Sequence, residues 1–119
     1  MYSCYSFKNE YSFQKRYQES KRVLAKYPDR IPIICERSVK SRDCPLIDKK
    51  KYLVPRNLTI GQFLFVIRNR LKLHPETALF LFVNNTIPPT SALIEQIYYK
   101  HKDDDDFLYL SYSQENIFG

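Results

Sequence analysis

Few residues in this chain have the type and spacing that site chemistry requires, and most of them argue against it. The cysteines Cys4, Cys35 and Cys44 are odd in number and show no Cys-x-x-Cys spacing. Paired disulfides and a zinc site are both disfavoured by that pattern. Cys35 lies in an apolar run and reads as a small buried hydrophobe rather than a nucleophile. His74 and His101 sit beside charged or loop-like sequence, without a Cys or Ser partner at recognisable spacing. With only Gly61 and Gly119 as glycines, a glycine-rich phosphate loop is excluded. The aspartates 103–106 lack the alternating ligands and turn glycine of a calcium loop and read as a solvated charged loop. No metal, no cofactor and no enzymatic activity are expected.

Two features remain. Gly119 has no side chain beside its carboxylate, so it can thread a narrow enzyme channel and be activated as a thioester without steric cost. The charge is also lopsided. Residues 1–72 hold 17 Lys or Arg against 6 Asp or Glu, whereas residues 73–119 hold 2 against 7. A basic face points to acidic peptide, anionic lipid or nucleic acid, against the plainer reading of solvated surface.

The elements that must position these groups are legible in outline. A chain of 119 residues, 44% hydrophobic and 15% aromatic, is one domain with enough apolar content for a core. Phe13, Tyr17, Val23, Leu24 and Tyr27 recur loosely at helical spacing behind a Ser12 N-cap, with Pro28 ending the helix and a short separate turn before it. Residues 31–35 form a β-branched strand, 36–50 a polar loop, and 51–55 a second strand. Thr59 and Gln62 have capping-box spacing ahead of Ile60, Phe63, Leu64, Ile67 and Leu71, the clearest amphipathic helix. Residues 78–83, apolar throughout, read as a central strand, and 84–89 as a turn. Thr90 or Ser91 opens a helix with Leu93, Ile94, Ile97 and Tyr98 inward, and 107–112 is the last strand. Pattern alone gives an α+β class.

Several segments carry more than pattern. These are Arg30-Ile31-Pro32-Ile33-Ile34-Cys35-Glu36, Asp48-Lys49-Lys50-Lys51-Tyr52-Leu53-Val54-Pro55, Leu79-Phe80-Leu81-Phe82-Val83-Asn84, Phe107-Leu108-Tyr109 and the final Phe118-Gly119. In that order and at those separations they closely resemble the autophagy ubiquitin-like modifier family, which includes the yeast autophagosome modifier and the GABARAP-like branch. The resemblance runs from about Phe7 to Gly119. It implies a ubiquitin-like β-grasp over residues 28–114, with an N-terminal helical extension at 1–27 and a conjugation tail at 115–119. The leader 1–6 is idiosyncratic. The loop at 41–46 is one residue longer than the family pattern, which implies an effect on partner preference if it lies beside the peptide-binding strand.

The resemblance also implies a function. Family members are joined through the last glycine, here Gly119, to phosphatidylethanolamine on autophagosomal membranes, where they recruit cargo receptors and adaptors bearing an aromatic-x-x-aliphatic motif. Partners would include activating and conjugating enzymes and a processing cysteine protease. By resemblance, the motif's aromatic residue enters a pocket lined by Glu19, Val23, Pro32, Ile34, Lys51, Leu53 and Phe107. Its aliphatic residue enters one lined by Tyr52, Val54, Pro55, Leu58, Phe63 and Val66. Val23 replaces the commoner isoleucine or leucine. Because successive strand residues face opposite ways, a peptide strand added along 51–54 would send its two anchors to different faces. Many of these residues would be core in any reading; Lys51 is the one hardest to bury. Arg30, Lys49, Lys50 and Arg70 could attract acidic residues flanking the motif. Phe80, Leu81 and Phe82 resemble a second docking strip, although the core reading is preferred for most of them.

No apolar run approaches the roughly 20 residues of a membrane span, and the N-terminus lacks a signal-peptide core, so a cytoplasmic protein is expected that reaches autophagosomal or vesicle membranes only through its lipid. The alternatives are an unlipidated β-grasp interaction module and, as a different class, a basic nucleic-acid-binding domain using Tyr11, Tyr17 and Tyr27 as stacking platforms. No nucleic-acid partner is expected.

Overall fold

Alternation along the strands divides the molecule into layers. The computed structural model describes residues 6–41 and 43–116, so Cys4 with all of the leader 1–6 except Ser6, and the final Phe118-Gly119, lie outside the described residues. The elements are α1 (Phe7–Glu10), α2 (Phe13–Lys26), β1 (Arg30–Arg37), β2 (Lys51–Pro55), α3 (Ile60–Leu71), β3 (Phe80–Phe82), α4 (Ile94–His101) and β4 (Leu108–Ser113). They build a mixed sheet of order β2-β1-β4-β3, with β1 parallel to β4 and the other two pairs antiparallel. Ile31, Ile33, Cys35, Tyr52, Val54, Leu108, Leu110 and Tyr112 point to one face and pack with Ile60, Phe63 and Ile67 of α3 in the main core. Ile34 and Phe107 point to the other face, where Phe7 of α1 completes a smaller buried cluster.

Local chemistry explains the helix starts. Thr59 Oγ1 accepts from the Gln62 amide at 3.1 Å and the Gln62 side chain accepts from the Thr59 amide at 2.9 Å, the reciprocal box its spacing predicts. Ser12 caps α2 through the Lys15 amide. Gly61 lets α3 pass close to the Thr90 backbone: a Cβ there would stand 3.3 Å from the Thr90 carbonyl oxygen, which would have to give by a few tenths of an ångström. The α4 start differs from expectation, with Leu93 rather than Thr90 or Ser91 as the cap residue. Gln96 Oε1 accepts from its amide at 3.0 Å, so a side chain inside the helix does the capping.

Two further expectations are corrected. The apolar run containing β3 is at the sheet edge, not its centre. It is apolar because both faces are covered: Leu79, Leu81 and Val83 join the main core, and Phe82 on the other face is 2% exposed. An apolar run reports covered faces, not paired edges. The second correction concerns α2, whose aromatic stripe does not form a core. Phe13 and Tyr27 are exposed, Tyr17, Val23 and Leu24 are half-buried, and Ser20 is its one fully buried residue.

Polar contacts hold α2 instead. Asp105, expected in a solvated loop, is 0% exposed. Its Oδ2 accepts from Arg16 Nη1 at 2.7 Å and from the Tyr109 hydroxyl at 2.5 Å, and its Oδ1 accepts from the Phe107 amide at 2.9 Å. Its backbone carbonyl accepts from Ser20 Oγ at 2.5 Å. Burial, and then the bond to Asp105, push the Tyr109 phenol well above its usual value, so it remains a donor at physiological pH. The preceding α1 is tied by the Phe7 amide to Glu36 at 2.8 Å and by Lys8 to Asp103 at 2.5 Å.

Removing a buried ion's partner leaves an uncompensated charge. Asp105→Ala is therefore expected to lower unfolding stability by about 3 kcal/mol or more, read from the urea midpoint at unchanged m.

Candidate functional site

Since β2 is an outer strand, one of its edges carries no strand among the described residues. Its burial alternates exposed, buried, half-buried, buried, exposed from Lys51 to Pro55. Lys51 and Leu53 face α2, where Lys51 Nζ stands 3.6 Å from Glu19. Tyr52 and Val54 face α3, where the Tyr52 ring meets Phe63 edge-on at 5.4 Å. The register sets Leu53 opposite Pro32 and Lys51 opposite Ile34 on β1.

The two residue sets expected from the resemblance thus fall on opposite sides of one edge strand. Glu19, Val23, Pro32, Ile34, Lys51, Leu53 and Phe107 share the α2 side. Tyr52, Val54, Leu58 and Phe63 gather on the α3 side, with Pro55 closing β2 and the exposed Val66 further along α3. The members differ in depth. Pro32, Ile34, Phe107, Tyr52, Val54 and Phe63 are buried, while Lys51, Pro55 and Val66 are exposed and Glu19, Val23, Leu53 and Leu58 half-buried. Ile34 and Phe107 are also packed by Phe7, edge-on to Phe107 at 5.4 Å, a neighbour that sequence reasoning did not supply.

Charge at the rim is arranged rather than diffuse. Glu19 bonds Arg22 at 2.8 Å and reaches Lys51 across the mouth between α2 and β2. The Arg22 hydrogen bond, opposed by partial burial and aided by Lys51, holds the Glu19 carboxyl below the usual range. Of the flanking cations, Lys50 pairs with Glu10 at 3.4 Å and Glu36 at 3.3 Å, and Arg70 pairs with Asp48 at 2.8 Å. Their charge is largely compensated within the chain. Lys49 is exposed, with its ammonium 5.2 Å from the Tyr52 ring centre, and Arg30 Nη1 donates to the Leu53 carbonyl at 3.3 Å.

At the other sheet edge, Leu81 and Phe82 are buried and Phe80 is half-buried, its ring stacked with Phe82 at 6.5 Å. Cys35 is buried in the core, and burial raises its thiol far above the usual value, as for an inert structural cysteine. Among the described residues, no group of three or more His, Cys, Asp or Glu could hold a metal, and no helix is long and apolar enough to cross a membrane.

A four-stranded mixed sheet packed on α3, with two helices added before its first strand, defines a ubiquitin-like α+β domain. The family model described as "Autophagy protein Atg8 ubiquitin like" matches residues 15–119, and the chain belongs to that family of autophagy ubiquitin-like modifiers. It is 60% identical over 114 residues to Autophagy-related protein 8 of Mycosarcoma maydis, covering 96% of each chain. It is 59% identical over 114 residues to Autophagy-related protein 8d of Arabidopsis thaliana, covering 96% of this chain and 94% of the relative. The crystal structure of Trypanosoma brucei ATG8 superposes with a TM-score of 0.87 at 43% identity, covering 93% of this chain and 95% of that one. Plasmodium falciparum Atg8, solved in complex with a peptide of P. falciparum Atg3, gives 0.85 at 39% identity, covering 93% and 97%.

A carboxylate with a lowered value keeps its ion pairs above the ordinary glutamate range and loses them as pH falls through the lowered value. The Glu19 side-chain carbonyl signal should therefore titrate below the free-glutamate range by NMR. Arg22→Gln should move it upward more than Lys51→Met does, because the Arg22 bond is the larger cause.

Proposed function

We propose that this chain is joined through the Gly119 carboxyl to the amine of phosphatidylethanolamine on autophagosomal membranes, where it recruits proteins carrying an aromatic-x-x-aliphatic motif. The observation that carries the recruiting half is the outer position of β2, with the two residue sets on its opposite faces. An extended peptide adding to that edge sends residues three apart to opposite faces, an aromatic toward Lys51 and Leu53 and an aliphatic toward Tyr52 and Val54. Lys49 and Lys51 at the rim favour acidic flanks, which raise association rate and salt sensitivity more than specificity.

The conjugation half is supported by family membership over a stretch that includes Gly119. Activation first joins the carboxylate to the AMP portion of ATP with release of pyrophosphate, and an enzyme thiolate then displaces AMP to form the thioester. The lipid amine then attacks the thioester carbonyl, the thiol leaves, and an amide remains. Two acyl chains give stable attachment where one is marginal. The partners are the activating and conjugating enzymes, a cysteine protease that trims or releases the tail, and receptors bearing the motif. The Atg3 peptide bound by the P. falciparum relative supports a conjugating-enzyme peptide as one occupant of the groove. The protein is cytoplasmic until conjugated and has no catalytic role.

The chain contains no Trp, so a Trp-bearing peptide reports its own environment. Titration of an acidic Trp-x-x-Leu peptide should give a saturable blue shift with Kd in the micromolar range, weakened at least about tenfold by Lys51→Ala with Leu53→Ala in a folded double variant. A folded wild type that leaves the Trp emission unshifted would rule out this groove as the recruiting surface.

A further inference from the structure

At the start of the β2 edge, a cation is already engaged by acids of the chain itself. The Cys35 amide donates to the Lys50 carbonyl at 2.8 Å, so the ladder between β1 and β2 runs one residue past Lys51 and keeps Lys50 in line with the edge. The Lys50 ammonium stands 3.3 Å from Glu36 Oε2 and 3.4 Å from Glu10 Oε1. The two carboxylates are held differently. Glu36 Oε2 also accepts from the Phe7 amide at 2.8 Å, so backbone as well as charge fixes it. Glu10 comes from the end of α1, a helix fastened separately by the buried Phe7 ring and by Lys8 to Asp103. One ammonium facing two carboxylates leaves this spot with one net negative charge.

We propose that Glu10 is a specificity-determining residue of the β2 edge: its carboxylate competes for Lys50 with an acidic residue preceding the aromatic of a bound peptide, and so holds down the preference for acidic flanks. The proposal rests on the reading of β2 as the recruiting edge. On that edge the aromatic is expected at Lys51 and Leu53, and the aliphatic residue at Tyr52, Val54 and Pro55, further along the chain. A peptide whose aromatic comes first therefore runs in the direction of β2. The residues before its aromatic project past Lys51, toward Lys50 and α1. An acid arriving there must displace Glu10 or become a third carboxylate on one cation, and either reduces its Coulomb gain. The Lys50 and Glu10 side chains are 22% and 28% exposed, so solvent screens this contact less than it would a fully exposed pair.

The test titrates two Trp-x-x-Leu peptides into the full chain by Trp emission, one with a run of Asp before the Trp and one with a run of Asn. The variants are Glu10→Gln, Lys50→Gln and the two combined. Glu10→Gln should tighten the Asp-flanked peptide about threefold, the scale of one partly shielded ion pair, and leave the Asn-flanked peptide unchanged. The gain should fade near 1 M salt, where the Debye length is about 3 Å, and should be absent in the combined variant. A Glu10→Gln protein that binds the Asp-flanked peptide no more tightly than wild type would overturn the proposal. So would a gain that survives Lys50→Gln. An equal gain for both peptides, with faster amide exchange at Phe7, would overturn it too, by showing that α1 had loosened as a whole. Binding of neither peptide by the folded wild type would instead overturn the recruiting reading of β2, and the role of Glu10 with it.

Discussion

A single buried carboxylate holds the two halves of this molecule in register. Asp105 receives Arg16, Tyr109 and the Phe107 amide on its two oxygens, and its own carbonyl receives Ser20. A carboxylate removed from water is destabilising unless such partners surround it, and here each partner comes from an element that must be brought together. Arg16 and Ser20 belong to α2, while Phe107 and Tyr109 lead into and lie on β4. Since α2 has little buried apolar surface of its own, this polar anchor sets its place on the sheet. That place decides whether Glu19 and Val23 stand opposite Lys51 and Leu53.

The arrangement of side chains along β2 is therefore a consequence of two separable constraints. The sheet order leaves β2 outermost and its alternation divides Lys51 and Leu53 from Tyr52 and Val54. The second is the docking of helices on each side: α3 by packing of Ile60, Phe63 and Ile67, and α2 by the Asp105 network. One wall is set by the hydrophobic effect and the other by hydrogen bonds and charge. The α2 wall is the one held by a buried ion pair. The Glu19 bridge to Lys51 spans the mouth on that same side, so partner charge and wall geometry are coupled there.

What was legible in the sequence is what is local. The Thr59–Gln62 box, the Ser12 cap and strand 51–55 depend on neighbours within a few residues, and each was readable at its position. The membership of Cys35 in the core followed from its apolar run. Asp105 was not legible because its partner Arg16 lies 89 positions away, and a run of four aspartates resembles solvent-exposed sequence when that partner is unseen. The outer position of β3 escaped for a related reason: strand order is a property of the whole sheet, whereas apolarity reports only what covers each face. Phe7 is a similar case, placed by contacts with Ile34 and Phe107, both distant in the chain. The two residue sets came from family resemblance, and the structure adds the burial of each member, from fully buried Ile34 and Phe63 to exposed Lys51 and Val66.

The central claim is that peptides join this modifier along β2 between two helically built walls. Chemical-shift mapping of the 15N-labelled protein with a Trp-x-x-Leu peptide tests it most directly. The account predicts that the largest changes fall on the amides of Lys51 to Val54, with smaller ones at Glu19, Val23 and Val66 on the two sides, and slowed amide exchange confined to β2. Changes centred on β3 or spread along the exposed face of α2, with β2 unmoved, would contradict it.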